Sequence, residues 1–273
     1  MPKKTDLAVA EKPNTDLALS DYGTAAGDGF QDVNRDHVTL PFLNLLQALS
    51  PEIAGDSSQR VEDAKIGQFI NSVSKELFDS VLFQPVAVRH VVVEWRARDK
   101  GGGKVAEHAP ESQIVTAAKA SAEEWNDLTT DEGNTLEPTF YLLGLIHRDS
   151  NIENQTNISP EPIMLSLAST KIKPYRNMMT RLTTFQSGKV PLYAHRLRIK
   201  SIEARNAAGQ PFRNILFEAA IENNIGKSLI PATCHWQPEN EPSPLLAQAK
   251  ALRDAYVKGN VKTAEEAKAE TPF

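Results

Sequence analysis

Residues 81–95, VLFQPVAVRHVVVEW, constrain the fold more than any other part of the chain. β-Branched and aromatic side chains dominate the run; they lose rotamer freedom in a helix and pack well on a pleated surface. The run therefore predicts a long strand. Pro85 has no N–H to give to a ladder, which predicts an edge position or a bulge beside it. Arg89 and His90 interrupt the longest apolar stretch of the chain, and no run approaches the roughly 20 apolar residues of a membrane helix, so no membrane partner is expected.

Strand signals recur at 68–73, 139–147, 162–168, 192–204 and 212–223, the last two joined by the turn-forming Asn206-Ala207-Ala208-Gly209. Apolar residues at 42, 45, 46 and 49, behind Pro41 and ahead of Ser50-Pro51, have the spacing of a short amphipathic helix. Ile172, Tyr175, Met178, Met179, Leu182 and Phe185 predict a helix over 170–186, with Pro174 tolerated in its first turn. A long polar insertion at 96–134 carries Gly101-Gly102-Gly103 and a helical piece around 117–125, and a last helix is expected at 245–258. The chain thus reads as mainly β with a few helices. Residues 1–38 form a disordered arm, 39–236 a β-rich domain, and 237–273 a helix followed by a flexible acidic tail.

Charge is distributed unevenly. Residues 163–213 hold ten basic side chains against Glu203 alone, a local charge of +9 in a chain whose formal net charge is −5, which leaves −14 elsewhere. Such asymmetry points to an anionic ligand at the basic segment. Alternation along 193–201 puts Tyr193, His195, Leu197, Ile199 and Ser201 on one face of a strand and Arg196, Arg198 and Lys200 on the other. One cysteine, Cys234, excludes an internal disulfide and a cysteine-cluster metal site, and no secretory signal follows Lys3 and Lys4. The expected compartment is the cytoplasm.

Familiar catalytic signatures do not fit. Gly226-Lys227-Ser228 resembles the end of a P-loop, but the required first glycine falls on Ile221. Six histidines stand singly, without metal-ligand spacing, and Cys234 and His235 point to opposite faces if they lie in a strand. No metal or cofactor is expected, and the chain is not expected to be an enzyme.

Binding of single strands needs cations to follow phosphates and exposed rings on which bases stack. Lys171, Lys173, Arg176, Arg181, Arg196, Arg198 and Lys200 supply the cations, with Tyr175, Phe185, Tyr193 and Phe212 interleaved. Trp95, Arg96, Arg98, Lys100 and Lys104 form a second candidate group, where a strand end enters the glycine-rich loop. Tyr175 and Phe185 fit the buried side of their helix better than a stacking surface. Trp95 and Tyr193 stand between the two readings.

The last residues, 265–273, are mildly acidic and end in Thr271-Pro272-Phe273. This end resembles the acidic, Phe-terminated tails with which bacterial and phage single-stranded DNA-binding proteins dock replication partners. The succession FLNLLQALSP (42–51), AKIG (64–67), VVVEWRARDKGGG (91–103) and SLASTKIK (166–173) also resembles a family of tailed-phage proteins commonly labelled single-stranded DNA-binding. That resemblance implies an OB-fold-like β-barrel core with a crossing helix, non-catalytic coating of single-stranded DNA in phage replication or recombination, and docking of partner proteins through Phe273. Two other readings remain open: a phage structural or assembly protein whose basic strand packs on another subunit, and a metal-dependent nuclease using Glu94, Asp99, Glu218 or Glu222.

Overall fold

A computed structural model describes residues 39–122, 128–147, 160–186, 191–219, 244–258 and 262–263. In chain order the elements are β1 (Thr39–Leu40), β2 (Leu43–Leu45), β3 (Phe69–Asn71), β4 (Leu77–Phe78), β5 (Ser80–Trp95), β6 (Lys104–His108), α1 (Gln113–Ser121), β7 (Thr135–His147), β8 (Glu161–Ala168), α2 (Ile172–Gln186), β9 (Leu197–Arg205), β10 (Pro211–Ala219), α3 (Pro244–Val257) and β11 (Lys262–Thr263). The mainly β reading holds.

β5 is the axis of the main sheet, whose order is β10-β9-β5-β7-β8 with β6 as a branch on β5. One edge of β5 pairs antiparallel with β7 along nearly its whole length. The other edge is shared: Ser80 to Phe83 pair with β9, and Val92 to Trp95 pair with β6. The bulge expected at Pro85 is present, as the register against β7 slips between Pro85 and Ala87. An extra residue in one strand reverses the faces beyond it. Val81 and Phe83 thus belong to the inner apolar cluster, whereas Val91 and Val93 belong to the outer one.

The inner cluster draws on every strand of the β10-to-β8 path, from Phe217 and Ile215 through Ile199, Phe83 and Leu142 to Leu165, and α2 adds Tyr175, Met178 and Leu182. The outer cluster is covered by α3, whose Ala249 is fully buried, and by the 3₁₀ turn Leu192–Ala194. A third cluster joins Val92 and Leu136 to Val115 and Ala118 of α1. The polar insertion at 96–134 is therefore not all loop, because it contributes β6 to the sheet and α1 to this cluster. The helix begins four residues earlier than its apolar residues suggested.

Two expectations are corrected. The edge strands β8 and β10 do not pair, so among the described residues the sheet does not close into a barrel, which would require a continuous ladder. The seam is occupied instead. Thr170, in the turn ahead of α2, accepts a hydrogen bond from Asn214 Nδ2 of β10 at 3.2 Å. Residues 41–47 run between the two edges: Met164 N–H of β8 donates to the Pro41 carbonyl at 2.8 Å. On the β10 side, the Gln47 amide donates to the Arg213 carbonyl at 2.7 Å and accepts from the Arg213 N–H at 3.0 Å.

The second correction follows from the first. Residues 41–49 are not a helix; Leu43–Leu45 form β2, which pairs with β3, and β3 with β4. A segment wedged between two edges and a small sheet is covered on both sides, and Phe42, Leu43, Leu45 and Leu46 are all buried. Apolar residues needed on two faces mimic a helical period. Leu49, which would complete the helical stripe, is 94% exposed.

Gly144, opposite Pro85, fixes the bulge. A Cβ there would overlap the Phe83 ring and stand 2.6 Å from the Gln84 carbonyl oxygen. Gly144→Ala is expected to lower stability by about 3 kcal/mol, the upper range for overpacking a core. Urea unfolding measures this, and a loss below about 1 kcal/mol would show that Phe83 can turn aside.

Candidate nucleic-acid interface

The basic residues of β9 divide by environment. Leu197 and Ile199 are fully buried, which turns Arg198 and Lys200 to the other face as the alternation predicted. Lys200 is held by Glu218 of β10 at 2.7 Å, and Arg198 Nη1 donates to Ser80 Oγ at 3.3 Å. Arg196, just before the strand, is only 5% exposed. Near it, Gln84 donates to the Tyr193 carbonyl and meets His147 Nε2 at 2.8 Å. Burial pushes His147 and His195 down to about 4, and Arg196 adds to the shift of His147. β9 is thus a structural strand with few cations to spare.

The glycine-rich loop lies at the far end of β5. Trp95 is half-buried against the outer cluster, and its indole N–H approaches the Glu137 carboxylate without completing a hydrogen bond. Burial raises the Glu137 pKa, while Trp95 and Lys171 oppose the rise. Burial likewise lowers Lys171, against the pull of Glu137. Arg96 and Lys100 are exposed; Lys100 Nζ donates to the Glu132 carbonyl at 2.6 Å, and Lys104 pairs with Glu107 at 2.8 Å. Arg98 begins a 3₁₀ turn, and its side chain lies outside the described residues. Gly101, Gly102 and Gly103 all have φ between 64° and 95°, which other residues rarely adopt.

The open cations are on α2. Lys173, Asn177, Thr180 and Arg181 recur at the spacing of one helical face and line a groove of about 600 Å³. Ile202, Asn214 and Leu216 of the β9–β10 hairpin contribute to the opposite wall, with Ile202 38% exposed. Among the described residues no carboxylate lines it. Arg176 is exposed beside this face. The 3₁₀ turn Ser169–Lys171 links the groove to the strand end, since Thr170 lines the groove while Lys171 faces Glu137 and, beyond it, Trp95.

Two of the aromatic residues interleaved with these cations are structural, and Phe212 is half-buried. Tyr175 is 6% exposed and stacks on Phe140. Tyr193 is 7% exposed, with the Arg253 guanidinium 5.5 Å from its ring centre. The Phe185 side chain, Cys234, His235 and Phe273 lie outside the described residues. Thr170, Asn177, Thr180, Ile202, Asn214 and Leu216 were missed as lining residues. Asn177 and Thr180 could have been found from their helical spacing to Lys173, whereas the hairpin wall depends on tertiary contact.

The nuclease carboxylates are dispersed. Glu94 is buried and accepts hydrogen bonds from Asn134 Nδ2 and His108 Nε2, both at 2.7 Å; burial raises its pKa, but these partners outweigh it and hold the carboxyl below its usual value. Asp99 is exposed in the 3₁₀ turn, Glu218 holds Lys200, and Glu222 lies outside the described residues. Among the described residues no group of three or more His, Cys, Asp or Glu is placed to hold a metal, and no helix is long and apolar enough to cross a membrane.

The architecture is that of a mainly β protein whose strands surround one apolar cluster without closing, with a cation-lined groove beside the seam. Residues 10–262 match the family described as Pam3 phage gp34-like protein, and the chain belongs to that phage family. No curated protein and no solved structure matches it.

The buried histidines give the fold a pH limit. The unfolded chain takes up these protons near pH 6.5, the folded chain only near 4, so acidification through that window favours unfolding. Each histidine is expected to remove about 3 kcal/mol of stability by pH 4. Urea unfolding at pH 7 and pH 4.5 measures the loss, and His195→Leu is expected to remove about half of it; an unchanged pH dependence in that variant would locate the effect elsewhere.

Proposed function

We propose that this protein is a non-catalytic, sequence-tolerant single-stranded DNA-binding protein of phage replication or recombination, with the groove between α2 and the β9–β10 hairpin as the path of the strand. One observation carries the reading: Lys173 and Arg181 stand on the same helical face over a groove that, among the described residues, has hydroxyl, amide and apolar walls and no carboxylate. Cations in that position meet phosphates, and the exposed apolar edge of Ile202 offers a surface to bases. Membership of a phage family is in keeping with such a role in the cytoplasm of the infected host.

Of the basic residues first singled out, the reading retains Lys173, Arg176 and Arg181 as primary phosphate contacts, and Arg96 and Lys100 as contacts on the loop side. Arg196, Arg198 and Lys200 support the sheet instead. In this reading Phe273 docks replication or recombination proteins.

The test is fluorescence anisotropy of a labelled thymine oligonucleotide, beside the matching duplex, at several salt concentrations. Replacing Lys173, Arg176 and Arg181 together by alanine is expected to weaken single-strand binding at least about tenfold and to reduce the slope of log affinity against log salt by about 2. The melting temperature is expected to stay within a few degrees, because surface substitutions usually change stability little. Undiminished binding by the triple variant would remove the groove from consideration. Absence of binding by the native protein at low salt would transfer the groove to the subunit-interface reading.

A further inference from the structure

We propose that His90 is a base-stacking platform: its exposed imidazole ends a column of three rings and receives a nucleobase of the bound strand, with Arg176 beside it for the adjoining phosphate. The inference rests on the single-stranded DNA reading and adds to it a residue outside the groove.

The column is built by strand register. His90 of β5 and Phe140 of β7 are directly opposite each other, and their rings lie nearly parallel, 4.3 Å apart at 12°. Phe140 stacks in turn on Tyr175 of α2, 4.6 Å away at 29°. Burial decreases along the column: Tyr175 is 6% exposed in the inner core, Phe140 is half-buried, and His90 is exposed. The core-bound rings fix the plane of the outermost one, so a base added to it loses little freedom that the protein has not already lost.

The position leaves room for a ligand. Pairing of β5 with β9 ends at Phe83 and pairing with β6 begins at Val92, so His90 lies where, among the described residues, that edge has no strand beside it. Among the described residues no hydrogen bond or ion pair engages the His90 ring or the Arg176 guanidinium. Glu111 and Lys119, from the α1 side, and Arg176, from α2, are the charged groups that act on the imidazole. Lys119 is held by its donation to the Pro110 carbonyl at 3.0 Å, whereas Arg176 is exposed. Burial, Lys119 and Arg176 lower the histidine pKa against Glu111, which favours the neutral ring. A neutral ring stacks on a base without the cost of desolvating a cation.

Arg176 also ties the platform to the groove. It is one turn along α2 from Lys173 and within two turns of Arg181, so a strand following those cations passes Arg176 to reach His90.

The experiment compares native protein, His90→Ala and His90→Phe by anisotropy, using a labelled thymine oligonucleotide and an abasic oligonucleotide of the same length. His90→Ala is expected to weaken binding of the thymine strand about fivefold or more while leaving the abasic strand unchanged, and His90→Phe to restore thymine binding. Native-like thymine binding by His90→Ala, or equal losses on both strands, would overturn the platform alone. Native protein that binds neither oligonucleotide would overturn the DNA reading and the platform with it.

Discussion

The contact of the Phe83 ring with Gly144 is the constraint on which the rest of this structure depends. It sits at the bulge beside Pro85 and lets β5 change face halfway along its length. Val81 and Phe83 then serve the inner cluster, and Val91 and Val93 the outer one under α3. Without the slip, one half of the strand would turn apolar residues to the wrong side, because strand faces alternate strictly. The division of the other edge between β9 and β6 adjoins the same region, and the interval between them, which pairs with no strand among the described residues, carries His90.

Local signals made much of this legible. The density of β-branched residues marked β5, Pro85 its bulge, Asn206 and Gly209 the β9–β10 turn, and the spacing of Tyr175, Met178 and Leu182 the buried side of α2. Residues 41–49 misled because a segment covered on both sides needs apolar residues without strict alternation, and by composition these fell into a helical period. β6 was hidden in a polar run since its pairing with β5 comes from the partner strand as much as from its own sequence.

The candidate site was legible in part for a similar reason. Lys173 and Arg181 are neighbours by helical geometry, which spacing reveals. The fates of Arg196 and Lys200 were not, since burial of the first and pairing of the second with Glu218 depend on how strands and turns meet across the sheet. A summed charge over 163–213 therefore overstates the cations free to meet an anion. Tyr175 illustrates the same limit in another way: its ring is part of the core, yet through Phe140 it orients a histidine at the surface.

The Gln47 amide at the edge of β10 has a wider consequence. A side-chain amide carries the same donor and acceptor as a peptide group, so at Arg213 it imitates one residue of a neighbouring strand. An open sheet invites other chains to extend it, and proteins that leave an edge must protect it. A strand from a second molecule aligning with β10 would first have to expel Gln47 and break both of its hydrogen bonds to Arg213. Because the mimic belongs to residues 41–47, which also bind Met164 of β8, the same short segment guards both open edges against templated aggregation.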